Sequence, residues 1–398
     1  MRTCLLFCLT FAISFAGRAE PVPDAAKVLN ETFWESADYL AAGDPNPYEI
    51  DHRQQFAAVL GREDLIQAEI DFWTRTQPGG VCGEGLGDPV QTLTGAANST
   101  QIVILNENHM IPLHRADPLG LIDALIDAGY RYYAYESFAD SIMNRGGRPI
   151  GPQDVFYSAD PAHARLLAQL ESRGVTLVAY ESSDHPDGRE AAQAQRLKER
   201  VFDTAPQAKL IIVPGHDHVF EHVEGWAGQM MARRLKALTG IDPLTISQTA
   251  CVSATGAPVL TQTLAKEDGT TAQISETDFA LGHPPMTFTN NRPDWRRSLG
   301  DQDVAIPARF TGLDVPVIIE ARRLEIDEQG RPVQSRGPTL PLDRVLLLPG
   351  ETGIPLLLPA GHYRIEAFDR NGPVGPPEEI VVAPAAPGEH APPADHSD

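Results

Sequence analysis

A repeated alternation of apolar runs and helical patterns between residues 102 and 247 restricts the fold of this chain more than any other feature. Each apolar run has the length of a buried strand, and a segment with helical periodicity follows it. Parallel strands need such crossovers, and fully apolar runs are typical of strands covered on both faces. We therefore predict an α/β fold whose mostly parallel sheet has helices on both faces. The predicted strands are 102–105, 132–135, 175–180, 210–213 and 244–247, and the predicted helices are 118–128, 161–173, 188–204 and 223–238.

Acidic and imidazole side chains follow four consecutive predicted strands. The carboxyl ends of parallel strands meet at one edge of a sheet, where open α/β folds bind their ligands. If these residues only reflected the polarity of loops, Lys, Ser, Asn and Gly would follow the strands at least as often as Glu, Asp and His. The repetition of acid and imidazole at four strand ends therefore predicts a chemical site in the crevice at this edge of the sheet. The residues are Glu107, His109 and His114 after the first strand, Glu136 after the second, Glu181, Asp184 and His185 after the third, and His216, Asp217 and His218 after the fourth.

The regions flanking this alternation have other patterns. Residues 24–76 have helical periodicity and predict an N-terminal scaffold, and we assign residues 24–300 to the α/β domain. Short apolar or alternating runs between turn residues predict a small antiparallel β-sandwich module over 303–383. Residues 251–300 receive no role, and His283 is interpreted as a loop residue rather than a site member. The Ala-, Pro- and Asp-rich residues 384–398 predict a disordered tail.

The first 19 residues predict a secretory signal peptide. Arg2 precedes an apolar run from Cys4 to Ala16, and small residues follow it where a signal peptidase cleaves. A membrane anchor is the alternative, but the run is shorter than the ~20 residues that a bilayer span needs. We expect a periplasmic or secreted protein without a membrane span.

Charge and cysteine content add two expectations. The net charge of −22 disfavours nucleic acid as a partner, because phosphate binding depends on clustered basic residues. The partner that we expect is a small-molecule or peptide substrate. Beyond the predicted signal peptide, the cysteines are Cys82 and Cys251. In an oxidising compartment they predict one disulfide, with two separate buried thiols as the alternative.

Imidazole and carboxylate groups at the strand ends suit two kinds of chemistry. They hold a divalent metal with open water positions, or they hydrolyse without metal, when a carboxylate orients a histidine that acts as general base. Both kinds of chemistry need the Glu107 and His109 side chains to point at the same place. A fully extended segment would let them diverge, so a turn at Asn106 or Asn108 is required. Arg189, in the first turn of a predicted helix, is either a solvated surface residue or a cation that reaches the crevice.

The run from Asn106 to Arg115 resembles the opening motif of the ChaN-like and erythromycin-esterase-like superfamily, which includes the TraB and TIKI proteins. That motif is Gly-Glu-x-His with a second His five residues later, and Glu107, His109 and His114 match it. The family's later acid, arginine and Gly-x-x-His match Glu136, Arg189 and the segment from Gly215 to His218, so the resemblance covers residues 101–250. Asn106 departs from the family's Gly, but Asn tolerates left-handed backbone angles and could make the same turn.

The resemblance implies haem or iron binding, metal-dependent proteolysis or ester hydrolysis, and it implies that Arg189 belongs to the site. We predict an exported hydrolase of ester or peptide bonds with catalytic residues Glu107, His109, Glu136, Arg189 and His218. Zn, Mn or Fe would bind Glu107, His109, Glu136 and His218. The alternative is a periplasmic haem- or iron-binding protein with His114 as a cofactor ligand, and a third interpretation is a surface protein whose β module is functional. The sequence identifies neither the substrate nor the oligomeric state.

Overall fold

The computed structural model describes residues 25–43, 52–76, 80–117, 119–266, 269–327, 332–333 and 339–384. The predicted signal peptide and all of the predicted tail except Pro384 lie outside these residues. Within them, no helix is both long and apolar enough to cross a bilayer.

The described helices fall in the N-terminal three quarters of the chain. Three of them precede the first strand and correspond to the predicted scaffold, and the others alternate with strands. The helices are α1 (Ala25–Ala42), α2 (His52–Val59), α3 (Gln67–Thr76), α4 (Pro89–Ala97), α5 (Leu121–Asp127), α6 (Pro152–Val155), α7 (Pro161–Ser172), α8 (Arg189–Leu197), α9 (Met231–Thr239) and α10 (Asp294–Ser298).

The strands belong to a central sheet, to C-terminal antiparallel sheets and to short ladders. They are β1 (Val81–Cys82), β2 (Ile102–Leu105), β3 (Tyr132–Tyr135), β4 (Thr176–Ala179), β5 (Leu210–Val213), β6 (Leu244–Ser247), β7 (Val259–Thr261), β8 (Thr263–Ala265), β9 (Thr271–Gln273), β10 (Phe279–Gly282), β11 (Phe288–Thr289), β12 (Arg292–Pro293), β13 (Gln302–Val304), β14 (Val317–Arg323), β15 (Glu325–Ile326), β16 (Pro332–Val333), β17 (Asp343–Leu347), β18 (Leu356–Leu358), β19 (Gly361–Asp369), β20 (Gly372–Pro373) and β21 (Glu378–Val382).

The central sheet has seven strands in the order β4-β3-β5-β2-β6-β10-β7. Neighbours from β4 to β10 run parallel, and β7 pairs antiparallel with β10 at one edge. This confirms the predicted α/β class. It also gives residues 251–300 a role that the sequence did not reveal, because β7 and β10 extend the five predicted strands.

Both faces of the sheet are buried. Val103 and Leu105 of β2 face a core with α4, α5, α7 and the N-terminal helices, whereas Ile102 and Ile104 face a second core with α8 and α9. The two-residue period of a strand sends alternate side chains to opposite faces, so a fully apolar strand needs a helix layer on each side. The predicted helix layers on both faces are confirmed.

The helix predicted over 223–238 begins only at Met231. Gly225 and Gly228 hydrogen-bond to each other in a tight turn before it, and Gly228 has a φ of 79°, in the left-handed region that favours glycine. A short 3₁₀ helix, His216–Val219, follows β5, and the segment between it and α9 is a loop that carries the exposed Trp226.

The C-terminal region is antiparallel, as predicted. Its main sheet has the order β17-β14-β19-β20, with β21 also on β19, and a separate ladder joins β13 to β18. Side chains from both sheets share one apolar core. Ile318 and Leu346 also join the core of the central domain, and Arg344 Nη1 donates to the Val59 carbonyl of α2 at 3.1 Å. The predicted boundary between residues 300 and 303 stays a prediction.

Cys82 and Cys251 form a disulfide, which confirms the predicted pairing. It ties β1 to the segment that follows β6. A side chain at Gly282 of β10 would overlap the Cys82 sulfur, because its Cβ would lie 2.0 Å away. Glycine at this position therefore allows the bridge to pass close to the edge of the sheet.

Candidate functional site

The first group of predicted site residues follows β2. Glu107 extends the parallel pairing by one residue, since its N–H donates to the Pro214 carbonyl and its own carbonyl accepts from His216. The chain then turns at Asn108, whose side chain accepts from the Met110 N–H at 3.0 Å. This is the turn that convergence requires, and it places His109 Nδ1 2.7 Å from Glu107 Oε1.

Asn106 does not supply a left-handed turn, because its φ is not positive. Its buried amide group instead donates to the His216 carbonyl at 2.8 Å and to Thr249 Oγ1 at 2.9 Å, and its oxygen accepts from the Gln248 N–H. The prediction that Asn106 replaces the family's Gly by making the same left-handed turn is therefore wrong. Asn106 instead bridges the ends of three strands.

A buried arginine supports Glu107. Arg115 Nη1 lies 2.7 Å from Glu107 Oε2, and Arg115 Nε lies 2.6 Å from Asp160 Oδ2. Asp160 also caps α7 by accepting from the N–H groups of Ala162 and His163. Burial would raise the pKa of Glu107, but Arg115 and His109 outweigh it and lower the pKa below its usual value. Glu107 is therefore a carboxylate that accepts the Nδ1 proton of His109.

The second group surrounds Arg189 at the start of α8. Its guanidinium donates to both oxygens of Glu181 at 2.8 Å, to Glu136 Oε1 at 2.5 Å and to His218 Nε2 at 2.9 Å. These contacts use four of the five N–H groups of an arginine, and the remaining one belongs to Nη1. The structure thus places Arg189 in the crevice rather than on a solvated face, with its side chain 23% exposed.

His218 lies between two carboxylates and this arginine. Its Nδ1 is 2.8 Å from Glu190 Oε2, and Glu136 Oε1 is 3.7 Å from its Nε2. Burial lowers the pKa of His218, but Glu136 and Glu190 overcome this effect and raise the pKa above its usual value. Protonation at Nε2 would end the hydrogen bond that Arg189 donates there, so the two side chains are coupled.

Gly215 brings the two groups together. A Cβ at this position would lie 2.6 Å from His109 Nε2 and 3.1 Å from Glu136 Oε2. The Gly215 N–H also donates to Glu136 Oε2 at 2.5 Å. Burial would raise the pKa of Glu136, yet His218, Arg189 and His109 lower it below its usual value. His109 and Glu136 therefore face each other across a backbone that has no side chain.

The neighbours of His109 shape its exposed edge. The ring of Tyr157 lies 4.5 Å from it and that of His216 lies 5.4 Å away, between ring centroids. Burial and His109 lower the pKa of His216 to about 4, so this ring is neutral at pH 7. His216 also has a φ of 38°, a costly angle for a residue with a side chain, and such angles cluster at functional sites. The His109 side chain is 12% exposed.

His114 lies away from this crevice. It is buried, its Nδ1 accepts from the Asn108 N–H at 3.1 Å, and its ring packs 5.3 Å from that of His283. Burial and His283 lower the pKa of His114 well below its usual value. His283, interpreted from the sequence as a loop residue, lies in the irregular segment after β10; it is buried, and its Nε2 is 2.8 Å from Gln248 Oε1. The assignment of His114 as a cofactor ligand stays a prediction.

Side chains that could bind a metal come together outside the crevice that holds His109 and Arg189. Among the described residues, a group whose ligand atoms all lie within 4.8 Å of one another consists of Glu221, His222 and Asp278, just beyond His218. This group could hold a metal ion. The predicted ligands Glu107, His109, Glu136 and His218 do not form such a group, and their assignment to a metal stays a prediction.

Three residues that complete the site had no predicted role. Arg115 and Asp160 hold Glu107, and Glu190 holds His218 and accepts from the Met231 N–H at the start of α9. Two of them carried local signals. Arg115 ends the run that contains Glu107 and His109, and Asp160 precedes a proline as a helix cap does. No pattern in the sequence indicated that Arg115 and Asp160, which are 45 residues apart, would pair.

No protein-family model matches this chain, and no curated protein matches it. Several solved structures align with it. The type III effector HopBA1 is 16% identical, with a TM-score of 0.33, and the alignment covers 52% of this chain and 99% of the effector. A structure titled "Bacterial protein toxins" is 14% identical over 56% of this chain and 47% of its own, with a TM-score of 0.31.

The C-terminal region of Pasteurella multocida toxin, described as having a thiol-protease like catalytic triad, is 10% identical. That alignment covers 86% of this chain and 51% of the toxin chain, with a TM-score of 0.30. Similarities at this level carry no conclusion about the activity of this chain.

Proposed function

We propose that this protein is a hydrolase of ester or peptide bonds in which His109 acts as general base without a metal. The observation that carries the proposal is the Glu107–His109 pair. Glu107 is held ionised by Arg115 and accepts from His109 Nδ1, so the lone pair is on Nε2, which lies against Gly215 and beside Glu136. No described residue forms a hydrogen bond with that nitrogen, which leaves it able to take a proton from water.

The second group supplies the charge that such a reaction needs. When water attacks a carbonyl carbon, negative charge develops on the carbonyl oxygen, and a fixed cation stabilises it. Arg189 retains one N–H that no described residue accepts, and its guanidinium is held in place by Glu136 and Glu181. We assign Arg189 to the developing oxyanion. His218, whose pKa is raised, is the candidate acid that protonates the leaving group. For this role its Nε2 must carry a proton, which ends the hydrogen bond from Arg189 Nη1 and frees a second N–H of that arginine for the oxyanion.

The choice of a metal-free reaction follows from the partners of the acids. Glu107 and Glu136 each use both oxygens on cationic or N–H donors. A metal at these residues would compete with Arg115 and Arg189 for the two carboxylates. Removing the partner of a buried charge is costly, on the order of 3–5 kcal/mol, so the observed arrangement favours general-base hydrolysis over metal-assisted hydrolysis.

We also propose membership in the ChaN-like and erythromycin-esterase-like superfamily, and a periplasmic or secreted location. The first is supported by the spatial proximity of Glu107, His109, Glu136, Arg189 and His218, which the motif matches had named separately. The second is supported by the Cys82–Cys251 disulfide, because structural disulfides persist mainly in oxidising compartments.

The test is hydrolysis of a panel of p-nitrophenyl esters and of fluorescein-labelled casein by the purified chain, with EDTA present. We expect the rate on an accepted probe to fall by about 100-fold or more in His109→Ala, since a general base contributes 10²–10⁴-fold. His185→Ala is the matched control, because His185 follows β4 and contacts Asp187 at the surface. A wild type inactive on every probe, or a His109→Ala variant of full activity, would refute the proposal.

A further inference from the structure

A second group of polar side chains lies outside the crevice, where the chain leaves the strand ends. Glu221 and His222 follow the short helix that carries His218, and Asp278 precedes β10. One ligand atom from each residue lies within 4.8 Å of the other two. His222 Nε2 and Asp278 Oδ1 are 3.4 Å apart. A nitrogen and two carboxylates are thus brought together by segments 56 residues apart.

The Glu221 carboxylate is unusual in this group. It is only 4% exposed, and although Oε1 pairs with Lys236, no described residue forms a hydrogen bond with Oε2. A buried polar atom without a partner costs about 1–3 kcal/mol, and buried polar groups in folded proteins are nearly always satisfied. The unpartnered Oε2 therefore points to a ligand that completes the site.

The surrounding charges favour a divalent cation as that ligand. Glu221, Asp278 and Asp242 carry three negative charges, and Lys236 supplies one positive charge through its contacts with Glu221 and Asp242. Asp278 is held in position because its Oδ2 accepts from the Thr245 N–H at 2.8 Å and from the Thr245 hydroxyl at 3.0 Å. Its Oδ1 remains directed at His222. The group therefore has an excess of negative charge, which favours a cation.

We propose that Glu221, His222 and Asp278 bind Zn²⁺. One imidazole and two carboxylates are a donor set that zinc accepts, with water as the fourth ligand of a tetrahedral site. The His222 side chain is 45% exposed and that of Asp278 is 33% exposed, so an ion can enter from solvent. This site is separate from the proposed catalytic crevice and does not depend on the hydrolase proposal.

Zinc at this position would brace one wall of the crevice. His222 lies four residues after His218, and Asp278 is anchored to Thr245 of β6 in the central sheet. The ion would therefore connect the segment that carries His218 directly to the sheet. Its role is structural, because no residue of the three contacts His109 or Arg189 in the described structure.

The experiment is isothermal titration of the metal-free full chain with ZnCl₂, compared with His222→Ala. The variant is suited to the test because His222 is nearly half exposed and its side chain has one modest contact, so the fold does not depend on it. We expect the wild type to bind one more Zn²⁺ than the variant, or to bind it at least about tenfold more tightly. The melting temperature should rise with Zn²⁺ in the wild type and rise less in His222→Ala.

His185→Ala is the matched control for zinc binding. His185 also faces a carboxylate at the surface, 3.9 Å from Asp187, but no third ligand atom converges on them among the described residues. Its zinc binding should equal that of the wild type. Equal stoichiometry and affinity in the wild type and His222→Ala would overturn the proposal, as would a wild type that binds no Zn²⁺.

Discussion

Replacing Gly215 by alanine tests whether the two halves of the site meet as described. The backbone of Gly215 has φ −77° and ψ 151°, angles that any residue adopts, so alanine introduces no backbone strain. The added methyl group would lie 2.4 Å from His109 Cε1 and 2.6 Å from His109 Nε2. The methyl group would also lie 3.1 Å from Glu136 Oε2, so Gly215→Ala crowds both halves of the site and the proposed general base most closely.

The size of the effect follows from these distances. Carbon atoms pack at about 3.5–4.0 Å, so the His109 ring must retreat by about 1 Å. Glu107 is fixed by Arg115 and does not follow, so the 2.7 Å bond to His109 is stretched or lost. Overpacking costs about 1–3 kcal/mol, and a hydrogen bond to a charged group contributes about 1.5–3 kcal/mol. We expect a loss of about 2–4 kcal/mol in the free energy of unfolding, since the ring can partly rotate away.

The catalytic effect should be larger than the effect on folding. A displacement of about 1 Å in a reacting group costs roughly 100-fold in rate. The assays are urea denaturation followed by tryptophan fluorescence, and hydrolysis of the ester that the wild type accepts best. The matched control is Gly95→Ala in α4, where an added Cβ meets no atom within 4 Å. Because alanine is the better helix former, this control should gain about 0.5–1 kcal/mol and keep full activity.

A clear result would refute the reasoning. If Gly215→Ala unfolds at the same urea concentration as the wild type and hydrolyses the ester at the same rate, then His109 does not lie against Gly215 and the crevice is not assembled as proposed. Loss of activity with unchanged stability would show that the ring moved freely, and the Glu107–His109 bond would then contribute little to folding.

Three further predictions concern stability. Arg115→Met should destabilise the protein by about 3–5 kcal/mol in urea denaturation, because two buried carboxylates lose their guanidinium partner. Arg173→Met, at a partly exposed surface pair, should cost no more than about 1 kcal/mol, and equal effects of the two variants would contradict the prediction. Because the pKa of His218 is raised in the folded protein, its protonation stabilises the fold fully below its unfolded pKa of about 6.5, and the contribution is lost as pH rises through the raised value. In His218→Gln, the unfolding free energy should no longer fall over this pH range. A pH profile identical to that of the wild type would contradict the prediction. Reducing the Cys82–Cys251 bridge, which spans 169 residues, should lower the unfolding free energy by about 2–5 kcal/mol. Thiol titration confirms full reduction, and a urea midpoint that then stays the same would contradict the prediction.

The strands of the central sheet were predicted well because burial on both faces leaves a strong local signal. Four of the five predicted strands have the observed bounds, including Ile102–Leu105 and Leu210–Val213. The two added strands were missed for a physical reason. Val259–Thr261 and Phe279–Gly282 are only three and four residues long, and each includes a threonine or a glycine, so neither forms a long apolar run.

The helix predicted from residue 223 failed because periodicity was extended across glycines. Gly225 and Gly228 form a turn that brings Trp226 to the surface, where it is 55% exposed, near the ring of His218. A glycine pair of this kind favours a turn over a helix because glycine has low helix propensity and adopts left-handed angles.

The sequence by itself determined the fold class, the order of the predicted strands along the chain and several of the residues that reach the carboxyl edge of the sheet. These follow from local periodicity and from the rule that parallel strands end together. Only the tertiary structure decided which of those residues act together. The Asn108 turn aims His109 at Glu107, Arg115 and Asp160 fix the charge of Glu107, and the absence of a side chain at Gly215 lets Glu136 approach. Such contacts depend on distances between segments far apart in the chain, which no local pattern encodes.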